Sequence, residues 1–141
     1  MKTEAAKAAS AIRTELKANF PGIKFSVRSQ NYAGGNSIRV EYTDGPKAEA
    51  VEEITAKYEM GTFNGMEDIY EYDNTNADLP QVKYLFVDRN ASKATENMIR
   101  TYVERNAPVN INGWELEQWK NRDYRTIFSE TDYPEQIHQT A

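Results

Sequence analysis

Apolar residues recur at helical spacing near the start of the chain, which predicts an amphipathic helix over residues 1–20. Pro21 and Gly22 should end this helix, because proline cannot continue the hydrogen-bond ladder and glycine tolerates a left-handed cap. The predicted apolar face consists of Ala5, Ala8, Ala9, Ile12, Leu16 and Phe20.

Strict alternation of apolar and polar residues follows over residues 23–29 and again over residues 37–43. Alternation with a period of two is typical of a strand that is buried on one face. Residues 30–36 lie between the two strands and contain Gly34 and Gly35, so we predict a hairpin with a long loop. The residues expected to face the core are Ile23, Phe25, Val27, Ile38, Val40 and Tyr42.

A second helix should begin at Asp44-Gly45-Pro46, because proline is favoured in the first helical turn. Its buried stripe would be Ala48, Val51, Ile54 and Tyr58. Two further strands are predicted over residues 69–72 and 82–89, and a polar loop over residues 73–80 separates them. The second of these strands is apolar on both faces, which indicates a central strand.

The last part of the chain is predicted to be helical. Ser92 can cap a third helix that runs to about residue 106, and a fourth helix covers residues 113–128. The tail after Tyr133 is polar and should fray.

The predicted order of elements is therefore α-β-β-α-β-β-α-α. It indicates an α+β two-layer fold, in which a mostly antiparallel four-stranded sheet carries helices on one face. The length of 141 residues and the even composition favour a single domain over residues 1–141. Within it, the sheet and its inserted helix occupy residues 23–89, the C-terminal helices 92–128 and the tail 133–141.

Composition narrows the class of protein. No apolar run approaches the roughly 20 residues that a membrane-spanning helix needs, and residues 1–7 lack the apolar stretch of a secretory signal. We therefore expect a cytoplasmic protein that has no membrane partner. The chain has no cysteine, which excludes disulfides and thiol nucleophiles. A net charge of -5 opposes strong non-specific binding to phosphate backbones, although it leaves room for a local basic face.

Residues that could carry catalysis or bind a metal are sparse. The single histidine, His138, lies in the polar tail, so neither histidine catalysis nor a zinc site is expected. Four carboxylates cluster around the third strand, but ordinary surface acids explain them better than a metal site, because their spacing matches no calcium loop. These carboxylates are Glu67, Asp68, Glu71 and Asp73. We expect no cofactor, no metal and no enzymatic activity.

The hairpin supplies the candidate binding residues. Gly34 and Gly35 would let backbone N–H groups approach a ligand, and Tyr32 lies beside them. Arg28 and Arg39 line the polar face of the two strands, whereas the hairpin aromatics Phe25 and Tyr42 should point to the core. The candidate set is therefore Arg28, Tyr32, Gly34, Gly35 and Arg39. Tyr70, Tyr72 and Tyr84 leave room for an aromatic surface elsewhere.

Several segments of the chain resemble the large polyvalent protein associated domains, of the twenty-ninth type. The segments are FPGIKFSVRS at 20–29, YAGGNSI at 32–38, YTDGP at 42–46, FNGMED at 63–68 and YEY at 70–72. The resemblance covers about residues 5–90. It implies a module of phages or conjugative elements and brings no catalytic residues. Where it would place an Asp or a Ser in the hairpin, this chain has Gln30 and Asn36.

Three functions remain open from the sequence. The leading hypothesis is a non-enzymatic binding module of a mobile genetic element. It would contact a protein, or else a nucleic acid, through the hairpin loop and the adjacent polar face of the strands. The second is an acidic inhibitor of a host defence system that imitates nucleic acid. The third is a small enzyme that acts on nucleotides with Asp or Glu, Arg and Tyr. The oligomeric state, and the roles of Trp114 and Trp119 in a core or an interface, stay open.

Overall fold

A computed structural model describes the backbone of residues 3–140 and the side chains of residues 3–137. His138 therefore lies outside the described side chains. The elements, in chain order, are α1 (Glu4–Asn19), β1 (Ser26–Tyr32), β2 (Gly35–Thr43), α2 (Ala48–Thr55) with a 3₁₀ turn (Ala56–Tyr58), β3 (Thr62–Asn64), β4 (Ile69–Glu71), β5 (Tyr84–Asn90), α3 (Lys93–Arg105), α4 (Gly113–Glu130) and α5 (Pro134–Thr140). The chain is α+β, as predicted.

The described chain divides into two compact units. The first contains the residues up to Tyr42 together with Ala48–Asp88, and the second contains Thr43–Lys47 together with the residues from Arg89 onward. The single-domain interpretation stays a prediction.

The strands of the first unit form two small sheets, so the prediction of one four-stranded sheet is wrong. The larger sheet has the order β1-β2-β5, and the smaller pairs β3 with β4 in antiparallel fashion. The sequence reasoning missed β3, a three-residue strand that lies between the glycines Gly61 and Gly65. The predicted third strand, β4, therefore pairs locally with β3 and does not join the larger sheet.

The place of β5 in the sheet also differs from the prediction. The central strand is β2, and β5 lies at an end of the order. Leu85 and Val87 pack against the core, while Phe86 between them is 45% exposed. The apolar character of both faces of β5 therefore reflects an exposed aromatic side chain rather than a second covered face.

Strands β1 and β2 form the predicted antiparallel hairpin, with Val27 opposite Val40 and Arg28 opposite Arg39. The relation of β2 to β5 is different. Contacts from Asn36 to Lys83 and from Arg39 to Asp88 advance in the same direction along both strands, as in parallel neighbours. The helix α2 lies in the connection between them, which is the usual way to join parallel strands.

The core of the first unit lies between one face of the three-stranded sheet and the helices α1 and α2. Thr3 caps α1 by accepting a hydrogen bond from the backbone N–H of Ala6, which satisfies one of the helix's unpaired donors. The helix then buries the apolar stripe that its periodicity predicted. The core cluster includes Ile12 and Leu16 of α1, Ile38 and Val40 of β2, and Val51 of α2. Phe25 and Tyr42 also face this core, as expected, with ring centroids 5.1 Å apart.

In the second unit, the segment TDGP forms a structural turn rather than the start of a helix, since α2 begins only at Ala48. Asp44 adopts a φ of 55° and is buried, and its carboxylate accepts hydrogen bonds from the Ser92 N–H (2.9 Å) and hydroxyl (2.7 Å). The N–H of Gly45 donates to the Glu135 carboxylate (3.0 Å). These bonds hold the turn against the start of α3 and against α5.

Arg89 completes this network. Its guanidinium donates to the carbonyl oxygens of Asp44, Gly45, Phe128 and Thr131 at 2.7–3.0 Å. It also lies 4.2 Å from the centroid of the Phe128 ring. The predicted order of elements had no helix after Tyr133, and it is wrong there, because α5 begins at Pro134, which is buried. Fraying of the tail stays a prediction. The polar tail is held through Glu135 and the N–H of Tyr133, which donates to Gly45 (2.8 Å).

None of the described helices is both long enough and apolar enough to cross a membrane.

Candidate functional site

The hairpin turn is shorter than the sequence suggested. The strands extend to Tyr32 and Gly35, which leaves only Ala33 and Gly34 in the turn, so the long loop over residues 30–36 is wrong. Gly34 adopts a φ of 90°, which favours glycine. The turn is anchored by Lys83, whose ammonium donates to the Gly34 carbonyl (3.2 Å).

The second face of the three-stranded sheet carries the predicted binding residues. Because residues paired across antiparallel strands share a face, Arg28 and Arg39 point to the side opposite the core residues Val27 and Val40. Phe86 of β5 shares this side, since the Arg39 guanidinium lies 5.0 Å from its ring centroid. We call this surface the open face and define it by Arg28, Tyr32, Ser37, Arg39 and Phe86.

Carboxylates position both arginines of the open face. Arg28 pairs with Glu41, and Arg39 pairs with Asp88. Such exposed pairs contribute little to stability, and both arginine side chains stay largely open to solvent. Each arginine charge is therefore balanced locally, and the open face is polar rather than strongly basic.

A shallow depression of about 350 Å³ lies on the open face. Its lining consists of Arg28, Ser29, Gln30, Ser37, Arg39 and Phe86. Tyr32 and Phe86 are 44% and 45% exposed. Large aromatic side chains in soluble proteins are usually more deeply buried. Exposed aromatic and arginine side chains on a rigid sheet are typical of surfaces that bind a partner by stacking and by directed hydrogen bonds.

A second aromatic group lies near the smaller sheet. Tyr70 packs edge-on against Tyr72 at 4.8 Å and Tyr84 at 5.5 Å between ring centroids, and the Lys83 ammonium lies 5.2 Å from the Tyr70 ring. Burial, together with the negative charge of Glu59, raises the pKa of Tyr70 to about 12. Tyr72 is exposed, as the sequence allowed.

The acidic residues around β4 do not converge. Within the part of the chain that the structure describes, no group of three or more His, Cys, Asp or Glu side chains could hold a metal ion. Glu59 stands apart from the surface acids because burial raises its pKa, and its carboxylate accepts the Leu85 N–H (2.7 Å). This hydrogen bond shows that Glu59 supports the start of β5.

Charge is segregated along the first unit, which the sequence analysis missed because it considered only the total. Residues 1–42 carry seven basic and three acidic side chains, whereas residues 48–88 carry two basic and ten acidic ones. The α1-β1-β2 part is therefore basic, and the overall net charge conceals this.

The structure brings three of the five candidate residues, Arg28, Tyr32 and Arg39, onto the open face, while Gly34 and Gly35 form the turn beside it. There is little space for a side chain at Gly35, since an added Cβ would lie 3.1 Å from Lys83 Cδ. Phe86 was missed. Phe86 lies between Leu85 and Val87, which face the core, so alternation along the strand places it on the opposite face. The sequence did not show this, because all three residues are apolar.

Comparison with known proteins identifies the family. The family model described as large polyvalent protein associated domain 29 matches residues 3–110. The chain therefore belongs to this family, and the resemblance noted in the sequence is confirmed. No curated protein and no solved structure matches the chain.

Proposed function

We propose that this member of the family is a non-enzymatic, cytoplasmic binding module of a phage or another bacterial mobile genetic element. It contacts a host protein or nucleic acid through the open face. The observation that carries the proposal is the set of exposed arginine and aromatic side chains fixed on the second face of the sheet.

Three features support this role. Glu41 and Asp88 pair with the arginines in the free protein, which favours the side-chain positions over the sheet and reduces the conformational entropy that binding would cost. Arginine and aromatic residues are enriched at the energetic centres of interfaces. The depression gives a partner side chain or base a place to insert.

The test compares partner capture by two triple variants of the tagged protein in lysate of a bacterial host. The face variant carries Arg28→Ala, Arg39→Ala and Phe86→Ala. The matched control carries Arg105→Ala, Arg125→Ala and Tyr102→Ala, two arginines and one aromatic that are exposed in the second unit. Both are checked for an unchanged thermal unfolding transition.

We expect the wild type and the control to capture the same partner and the face variant to lose it. If the folded face variant still retains every partner, the open face is not the binding surface.

A second candidate function rests on the ten acidic side chains of residues 48–88, which could imitate the phosphates of nucleic acid. This acidic inhibitor would bind a basic host nuclease through that segment. Replacing Glu49, Glu52 and Glu53 of α2 with Gln should then abolish capture, whereas the face variant should not.

A further inference from the structure

A groove lies just before the beginning of β1, and none of the residues that line it belongs to the open face. It lies beside the C-terminal half of α1 and has a volume of about 330 Å³. Its lining consists of Arg13, Lys17, Gly22, Ile23, Lys24 and Phe25. We call it the basic groove, because three of these residues are cationic and none is acidic.

The cations of the basic groove are available to a ligand. Among the described residues, neither Lys17 nor Lys24 forms an ion pair, and both side chains are exposed. The Arg13 guanidinium donates to the Val27 carbonyl (2.5 Å), which fixes its position and uses only part of its donors. On the open face, by contrast, each arginine has a carboxylate partner.

The floor of the groove is apolar. Ile23 and Phe25 are half-buried, and Phe25 is fixed between Phe20, at 6.0 Å, and Tyr42, at 5.1 Å between ring centroids. A ligand that matches this lining must combine negative charges with flat or apolar surface. A nucleotide strand does so, because its phosphates are anionic and its unpaired bases are flat and apolar on their faces.

We infer that the basic groove binds single-stranded nucleic acid, with backbone phosphates on Arg13, Lys17 and Lys24. A duplex fits less well, because its bases are stacked inside and cannot cover the apolar floor. The segment that builds the groove is basic on balance, and most acidic side chains of the first unit belong to residues 48–88. Lys24 lies two residues before β1, so a bound strand could continue toward Arg28 on the open face.

The test measures fluorescence anisotropy of a labelled oligothymidylate of about 12 nucleotides at low salt, with the full-length chain. The groove variant carries Lys17→Glu and Lys24→Glu. The matched control carries Lys93→Glu and Arg125→Glu, two exposed cations of the second unit that make the same change in net charge. A milder variant, Lys17→Gln with Lys24→Gln, serves if the reversed charges disturb folding.

We expect the wild type to bind and the groove variant to lose about tenfold or more in affinity, while the control changes by less than about twofold. The logarithm of the binding constant should fall with the logarithm of salt concentration with a slope of about -2, as for three phosphate contacts to a single strand. An unlabelled duplex should compete less well than the unlabelled single strand.

Three outcomes would overturn the inference. They are no binding by the wild type at low salt, equal loss in the groove and control variants, and binding to phosphatidylglycerol vesicles without binding to the oligonucleotide. The face variant distinguishes this inference from the proposed function. If it loses its lysate partner while the oligonucleotide does not bind, the proposed function stands and the inference fails.

Discussion

Asp44 shows how a residue can be important for structure while resembling a functional one. Its acidic side chain lies in the family-like segment TDGP, yet the structure uses both carboxylate oxygens to hold Ser92. Its φ of 55° suits Asp or Asn better than most residues with a side chain. The segment is therefore explained by folding, and no ligand is needed to account for it.

Replacing Asp44 with Ala should lower the free energy of unfolding by about 1–3 kcal/mol, because the half-buried N–H of Ser92 would lose its acceptor and the Ser92 hydroxyl would keep only the Thr95 hydroxyl, at 3.1 Å. Asp44→Asn, which keeps one acceptor oxygen and tolerates the left-handed backbone, should lose less. Urea denaturation measures both, with Asp78→Ala at an exposed site as the control. Equal stability of Asp44→Ala and the control would contradict this role.

Two glutamates should give opposite pH dependences of stability. Burial disfavours the charge of Glu15, but hydrogen bonds from Lys57 (2.7 Å) and Tyr58 (2.5 Å) outweigh it and lower the pKa of Glu15. Its contribution is therefore present above the unfolded pKa and is lost as pH falls through the folded pKa. Burial raises the pKa of Glu59, so its contribution is present at low pH and is lost as pH rises through the folded pKa.

Consequently, the wild type should gain stability relative to Glu15→Gln as pH rises toward the ordinary glutamate pKa of about 4.3. As pH rises further, above that value, it should lose stability relative to Glu59→Gln, whose amide oxygen can still accept the Leu85 N–H. Denaturation midpoints at several pH values measure both differences. Parallel trends in the two variants would show that the environment of one of these carboxylates is misassigned.

At the scale of elements, the sequence predicted α1, the β1-β2 pair and α3 well, because amphipathic periodicity and cap residues act locally. It failed at β3 and at the placement of β5. A three-residue strand has too few positions to show alternation, and strand partners depend on tertiary packing rather than on local pattern. Of the candidate site, Arg28 and Arg39 could be predicted from alternation, but Phe86 required knowing that β5 lies beside β2.

The β3-β4 hairpin depends on a close backbone approach at Gly61. A Cβ there would lie 1.9 Å from the Glu71 carbonyl oxygen, which belongs to the backbone and cannot move aside alone. Gly61→Ala should therefore lower the free energy of unfolding by about 1–3 kcal/mol. Gly65→Ala is the matched control, because its Cβ would meet only Phe63, at 4.0 Å. A difference of less than about 0.5 kcal/mol between the variants would contradict the observed packing.

In the second unit, the single side chain of Arg89 joins the C-terminal end of α4 to the TDGP turn. Lysine cannot reach four carbonyl oxygens with a planar fork, so Arg89→Lys should cost about 2–4 kcal/mol and increase amide exchange at the start of α5. Arg125→Lys, at an exposed position of α4, is the control. Unchanged exchange in α5 would show that the network does not hold it.

At the scale of the molecule, the family match ends at residue 110, whereas the structure continues through α4 and α5. Phe128, Thr131 and Glu135 lie beyond the match, yet they are bonded to residues within it. The carbonyl oxygens of Phe128 and Thr131 accept from Arg89, and the Glu135 carboxylate accepts from the N–H of Gly45. The C-terminal residues thus form part of the second unit's own framework. The exposed arginine and aromatic side chains of the open face belong to the first unit, in which residues 1–42 are basic on balance and residues 48–88 are acidic.

The central claim is that the open face is where the partner binds, and site-specific photo-crosslinking in host cells tests it most directly. A benzophenone side chain would replace Phe86 on the open face or, as the control, Tyr102, which is exposed in the second unit. We expect irradiation to give a discrete crosslinked product from position 86 and none from position 102. A product from position 102 alone would contradict the account.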